Sequence, residues 1–310
     1  MPAINQNQAL LPQGATFIEN EHGSAVGIAI DEEGKLFVAT PGVPDEMEAM
    51  VSGWVSDAIR KRAGNLFTLH RTLRTTGIME SVLFEKVADL IETKGSGTAE
   101  DKLSVAFLPS MMGTSIRLTV VTRVREQGQR TLAELEAKII ERAGKYIYGF
   151  DDDTLPQVVG KLLKEKGKKL AVAESCTGGL LGKMITDIPG SSEYFIGGII
   201  AYSNELKQKL LSVPEDIIQK FGAVSEECAR AMAHGAVNNL GATIGISVTG
   251  VAGPDGGTAE KPVGLVYIGL AAPGKLTVKQ YNFGKERDRN RDRSAISALE
   301  IVRKHLLGID

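Results

Sequence analysis

Hydrophobic positions in the first part of the chain fall in short runs broken by turn residues. GKLFVATPG (34–42) is the clearest strand there, and PDEMEAMVSGWVSDAIRKRAG (44–64) follows with helical spacing. Pro44 suits a first helical turn, Asp45 and Glu46 set negative charge at the positive end of the helix dipole, and Gly64 is a natural stop. From Asn65 the pattern predicts a helix around 80–92, strands at 103–108 and 115–123, a helix at 132–143 and the short strand YIYG, which together make a small α+β unit. GFDDDTLP (149–156) combines Gly, Pro and a charge run and reads as a linker.

Beyond it, helix and strand patterns interleave. LPQVVGKLLKEKG predicts a helix, KKLAVAES a strand, GLLGKMITDI a helix, FIGGIIAYS a strand, and NELKQKLLSV and SEECARAMAHGAVNNLG two helices. Three strands follow (ATIGISVTG, GLVYIGLAA, KLTVKQYNF), then a closing helix from Asp292, DRSAISALEIVRKHLLG. Such interleaving makes residues 151–310 an α/β sandwich with helices covering a sheet.

At 310 residues and 43% hydrophobic content, the chain is too long for one ordinary core and too apolar to be disordered. Thirty-six basic and 38 acidic residues leave a formal charge of -2, which gives no global field for nucleic acid or an anionic membrane. The two cysteines, Cys176 and Cys228, form no CxxC pair and no metal-ligand spacing. With no leader-like N-terminus and no apolar run of membrane-spanning length, a cytoplasmic protein is expected.

Three segments hold candidate chemistry. In AVAESCTGGLL a strand runs straight into a turn and a helix, which places Ser175 near free backbone N–H groups able to stabilise an oxyanion; equally, Ser175 or Thr177 could simply cap the helix. A serine nucleophile needs a base, and none of His22, His70, His234 or His305 sits in a motif. In GGIIAYSNELKQKLL the strand should end near Tyr202 and a helix be capped by Ser203 or Asn204, so Lys207 lies near the first helical turn. There the dipole and desolvation would lower its pKa toward use as a base, although a core-edge tyrosine and a solvated lysine would give the same pattern. SVTGVAGPDGG is glycine-rich after a strand; it is an anion loop or a tight turn, and it matches neither the P-loop nor GxGxxG. In KERDRNRDR, Arg287 or Arg291 could meet a phosphate if it points inward, but a solvated loop would read the same.

Taken together, AESCTGG, GGIIAYSNELKQKLL, FGAVSEECARAMA and SVTGVAGPDGGTAEKPVGLVYIGLA resemble the C-terminal domain of the CinA family, the nicotinamide-nucleotide amidases, across residues 151–310. The resemblance implies a catalytic set of Ser175, Tyr202 and Lys207. Lysine would take the serine proton, the serine would attack the carboxamide of nicotinamide mononucleotide, and the tyrosine would relay a proton toward ammonia. Cys176, Thr177, Gly178, Gly179, Thr249, Gly250, Gly253 and Pro254, with Arg287 and Arg291, are the candidates for holding substrate and oxyanion. The chemistry calls for no metal or organic cofactor, and the family leads one to expect a homodimer.

Residues 65–150 resemble the family's KH-like middle domain, without a GxxG loop in a basic setting that would mark an RNA binder. NQNQALLPQGATFIEN, GKLFVATPGVPDEM and the following helix resemble the end of the family's molybdopterin-binding-like domain, associated in longer members with ADP-ribose pyrophosphatase activity. Residues 1–64 lack that domain's opening strands, so they are expected to be an incomplete α/β segment with no independent pyrophosphatase activity, unless another chain completes it. A nucleotide-binding regulatory protein of competence or DNA damage is the other function class in keeping with the sequence.

Overall fold

The computed structural model describes residues 10–64, 66–92 and 102–309, and the chain divides into two compact units, the first ending at Phe67 and the second beginning at Thr68. The first unit is an antiparallel meander of β1 (Thr16–Ile18), β2 (Gly27–Glu32) and β3 (Lys35–Ala39). One face packs Ile18 and Ala29 against Met50 and Val55 of the helical segment. That segment is not the single helix its period predicts. α1 (Pro44–Met50) and α2 (Ser56–Ala63) are joined by a wider turn over Val51–Val55, where Gly53 leaves helical geometry (φ -90, ψ -105). Period alone does not reveal this, because Gly53 costs the helix order that Ala would keep.

In the second unit, β4 (Phe67–Thr75), β5 (Lys102–Ser110), β6 (Gly113–Thr122) and β7 (Ile147–Phe150) make a sheet in the order β5-β6-β4-β7. α3 (Glu80–Glu92) and α4 (Arg125–Ala143) pack on it through Leu83, Val87, Leu132, Leu135 and Ile139, against Leu73, Ile116, Leu118 and Val120. α4 begins seven residues before the apolar period does, since its first two turns are polar and meet the core only through the buried Gly128, which carries no apolar side chain. The Gly149–Pro156 segment is anchored at both ends. Asp151 accepts from the Thr72 amide at 2.9 Å and from Arg71 at 2.6 Å, and Thr154 with Gln157 forms a capping box on α5 (Leu155–Glu165).

The remaining elements build an α/β/α sandwich on a five-stranded sheet ordered β12-β11-β10-β8-β9. The strands are β8 (Leu170–Glu174), β9 (Phe195–Ile200), β10 (Ile244–Gly250), β11 (Leu265–Ala272) and β12 (Lys275–Asn282). β8 lies between β10 and the edge strand β9 and runs parallel to both, while β10, β11 and β12 pair antiparallel. All five β8 residues are buried, as expected of a strand covered on both faces. Leu170 and Val172 face α5, α6 (Leu180–Thr186) and α10 (Arg287–Leu307); Ala171 and Ala173 face α7 (Asn204–Leu211) and α9 (Glu226–Leu240). A short helix absent from the periodicity reading, α8 (Glu215–Phe221), links α7 to α9. α10 starts at Arg287, five residues before the position expected, so the KERDRNRDR run is largely helical. Charge density hid that start, because its face meets loops rather than apolar core.

Candidate functional site

The site forms where β8 ends. Glu174 closes the strand, Ser175 donates its amide to Val248 O at 2.9 Å, and the chain turns through Cys176–Gly179 into α6. Gly178 (φ 57) and Gly179 (φ 93) adopt left-handed conformations that a side chain would strain, which is why two glycines stand in the turn.

Across the turn, the Ser203 hydroxyl caps α7 by accepting from Leu206 N at 3.2 Å, and Lys207 follows one turn in. Its side chain points inward and is 1% exposed. Lys207 Nζ lies 3.1 Å from Ser175 Oγ and donates to Ala201 O at 2.9 Å and Tyr202 O at 3.3 Å. Burial pushes the Lys207 ammonium below the usual lysine range, partly offset by the nearby Cys228 and Cys176 thiols. No carboxylate bonds Nζ among the described residues; its partners are the Ser175 hydroxyl and two backbone carbonyls. Once it has lost its proton, a lysine so placed beside a serine hydroxyl is a base set against its nucleophile.

Both thiols are buried, and loss of solvation raises each to about 11, so they stay protonated beside Lys207. What the site takes from Cys176 is therefore main chain: the Cys176 and Thr177 amides have no backbone acceptor among the described residues. Thr177 Oγ1 is buried without a hydrogen-bond partner among the described residues.

Tyr202 is placed differently from Ser175 and Lys207. Its ring is 61% exposed, and its hydroxyl lies 3.4 Å from Arg287 Nη2, so its carbonyl rather than its phenol meets Lys207.

Starting α10 at Arg287 puts Arg287, Asn290 and Arg291 on one helical face, and that face grips two loops. Arg291 donates from Nη2 (2.9 Å) and Nε (3.3 Å) to Thr177 O. Arg287 donates to Gly253 O at 2.8 Å, and buried Asn290 donates to Ala252 O at 2.9 Å and Gly284 O at 3.0 Å. Thus the Ser175 turn and the Gly253–Pro254 loop hang from one helix. Thr249 Oγ1 is used on Ala223 O at 2.7 Å, and Gly250 is packed so that a Cβ would stand 2.6 Å from Leu265 O. Their contribution is to fix the end of β10 beside Ser175.

Two residues escaped sequence reading. Asn290 looked like part of a solvated charge run. Glu174, 1% exposed, accepts from the amides of Gly179 (2.9 Å), Leu181 (3.1 Å) and Gly182 (2.8 Å). An acidic residue ending an apolar strand just before a Gly-Gly turn was the available signal. The expectation that Gly178 and Gly179 amides are free for an oxyanion is corrected: Gly178 N is bonded to Ser175 O at 3.1 Å and Gly179 N to Glu174. His70 and His234 are bonded to Thr119 and Asn238. No group of three or more His, Cys, Asp or Glu side chains among the described residues is arranged to hold a metal ion, and no described helix is long and apolar enough to cross a membrane.

Fold and site together define an α/β sandwich protein in which a buried interior strand delivers a serine onto a buried lysine. The CinA C-terminal domain matches residues 152–306, and the KH domain of damage-inducible protein CinA matches residues 70–149. A CinA-like protein of Kosmotoga olearia is 41% identical over 303 residues, covering 98% of this chain and 72% of that protein. One of Dictyoglomus thermophilum is 39% identical over 306 residues, with 98% and 72% covered. The crystal structure of competence/damage inducible protein CihA from Agrobacterium tumefaciens is 38% identical and covers 47% of this chain and 90% of its own, with a TM-score of 0.47. The chain belongs to the CinA family.

Proposed function

We propose that the second unit hydrolyses the carboxamide of nicotinamide mononucleotide to nicotinate mononucleotide and ammonia. The observation that carries this reading is the 3.1 Å approach of Lys207 Nζ to Ser175 Oγ in a buried setting that pushes the lysine below its usual pKa range. Lys207 takes the hydroxyl proton as Ser175 Oγ bonds to the carboxamide carbon. The tetrahedral intermediate then collapses, the C–N bond breaks, and the nitrogen leaves as ammonia with the proton returned. Water attacks the resulting ester in the same sense and frees the carboxylate and Ser175.

The rim supports this substrate class. Arg287 and Arg291 stand beside the serine turn, each using only part of a five-donor guanidinium on protein carbonyls, which leaves donors for a phosphate. The exposed Tyr202 ring suits a cationic pyridinium. The proton relay expected of its phenol requires the hydroxyl to leave Arg287 when substrate enters.

The test is ammonia release from nicotinamide mononucleotide by wild type, Ser175→Ala and Lys207→Ala. Activity in the wild type and its loss by more than about 100-fold in both variants is expected. A folded wild type without turnover would instead favour the binding or regulatory reading. Homodimerisation belongs to the same proposal and is checked by sedimentation.

A further inference from the structure

The buried carboxylate of Glu174 adjoins Ser175 yet has no place in the reaction as just described. It is not exposed, makes no ion pair among the described residues, and takes three amides at the start of α6. Every other backbone N–H in the turn can be traced. Ser175 N goes to Val248 O, Gly178 N to Ser175 O and Leu180 N to Thr177 O, while the carbonyl of Thr177 is gripped by Arg291. Two successive N–H groups remain without an acceptor among the described residues, those of Cys176 and Thr177. The N–H of the residue after a nucleophile on a strand-to-helix turn is a recurring oxyanion donor, because it points to the side on which the nucleophile attacks.

We infer that Glu174 is a positioning residue for the reaction: by occupying the amides of Gly179, Leu181 and Gly182 it fixes the turn so that the N–H groups of Cys176 and Thr177 hold the oxyanion formed on Ser175. The inference rests on Ser175 acting as a nucleophile, as in the reading above. Glu174 touches no reacting atom; it acts through the backbone. The packing is specific to a carboxylate of this length. A Cβ on Gly182 would already lie 3.3 Å from Glu174 Oε1, so there is no slack on that side. Glutamine at position 174 would turn an NH2 group toward at least one amide N–H, and aspartate would keep the charge but fall short by one methylene.

The experiment compares wild type, Glu174→Gln and Glu174→Asp in ammonia release from nicotinamide mononucleotide, alongside the rate at which a phosphonyl fluoride labels Ser175. Labelling forms an O–P bond and expels fluoride, with the serine proton passing to Lys207, and it needs the oxyanion donors but not an amide substrate. Expected for Glu174→Gln is a kcat lower by about 10- to 100-fold with KM within about twofold, since ground-state binding is spared. Glu174→Asp should lie between, and labelling should slow in parallel. If Glu174→Gln does not fold, Glu174→Asp carries the comparison: a folded aspartate variant with reduced kcat and unchanged KM supports the inference, and one with wild-type kcat overturns it. Wild-type kcat in a folded Glu174→Gln likewise overturns it. If the wild type labels but releases no ammonia, the amidase reading fails alone, and the labelling ratio decides the role of Glu174. No labelling of wild-type Ser175 and no turnover overturns both.

Discussion

Arg291 holds the carbonyl oxygen of Thr177 with two guanidinium nitrogens, at 2.9 and 3.3 Å, across 114 residues of sequence. This contact ties the serine turn to α10, so Arg291→Ala should loosen the turn at its most demanding point. We expect kcat/KM for the amide substrate to fall by about 10-fold, with a loss of about 1 kcal/mol in urea unfolding. Arg291→Lys should recover only part of the activity, because an ammonium cannot reproduce the planar fork.

Lys207 makes both activity and stability depend on pH in a defined sense. Its folded-state pKa is depressed by burial, so in the interval between that value and the ordinary lysine value the unfolded chain binds more protons than the folded one. Stability from this group therefore rises with pH through that window, and the full cost of burying the ammonium is felt below it. Lys207→Met should abolish that slope, which paired denaturant titrations of the two proteins would show. In the wild type, kcat/KM should climb as Lys207 loses its proton, with an apparent pKa below that of a free lysine.

Thr177 Oγ1 has no hydrogen-bond partner among the described residues in its buried position. A hydroxyl so placed bears its desolvation cost without return, so Thr177→Val is expected to be as stable as wild type or up to about 1 kcal/mol more so. Thermal or urea unfolding decides this, and a clear loss of stability would reveal an unrecognised bond.

At the other end of α10, Arg303 is 1% exposed, pairs with Glu300 at 2.7 and 2.9 Å, and donates to Ile147 O at 3.2 Å and Lys145 O at 2.7 Å. Arg303→Met would leave a buried carboxylate with Lys304, 3.3 Å away, as its remaining salt-bridge partner among the described residues. Loss of about 3 kcal/mol is expected, at the lower end for broken buried pairs because Lys304 remains. Removing both charges with Glu300→Leu/Arg303→Met should cost less than Arg303→Met alone. Unfolding of the three proteins tests the order.

The sequence by itself determined what local chemistry decides. Strand-to-helix junctions at Glu174–Leu180 and Tyr202–Asn204 were legible because a buried strand, a Gly-Gly turn and a Ser203 cap are each written in adjacent residues. Ser175 and Lys207 stood out for the same reason, and the motifs around them carried the family. Their meeting at 3.1 Å was decided by tertiary structure, since it requires β8 and β9 to lie side by side so that both junctions open at the same sheet end. Long-range partners likewise chose the early start of α10: a charged segment has no apolar period to announce a helix, and its helical face is defined by the carbonyls of Thr177, Ala252 and Gly253 that it serves. The same holds for Glu174, whose value lies in three amides brought into reach only when the turn closes, and for Tyr202, whose phenol follows Arg287 out to the rim. Hydrogen bonds between distant segments have no periodicity, so a single sequence can name the groups but leaves their pairing to the fold.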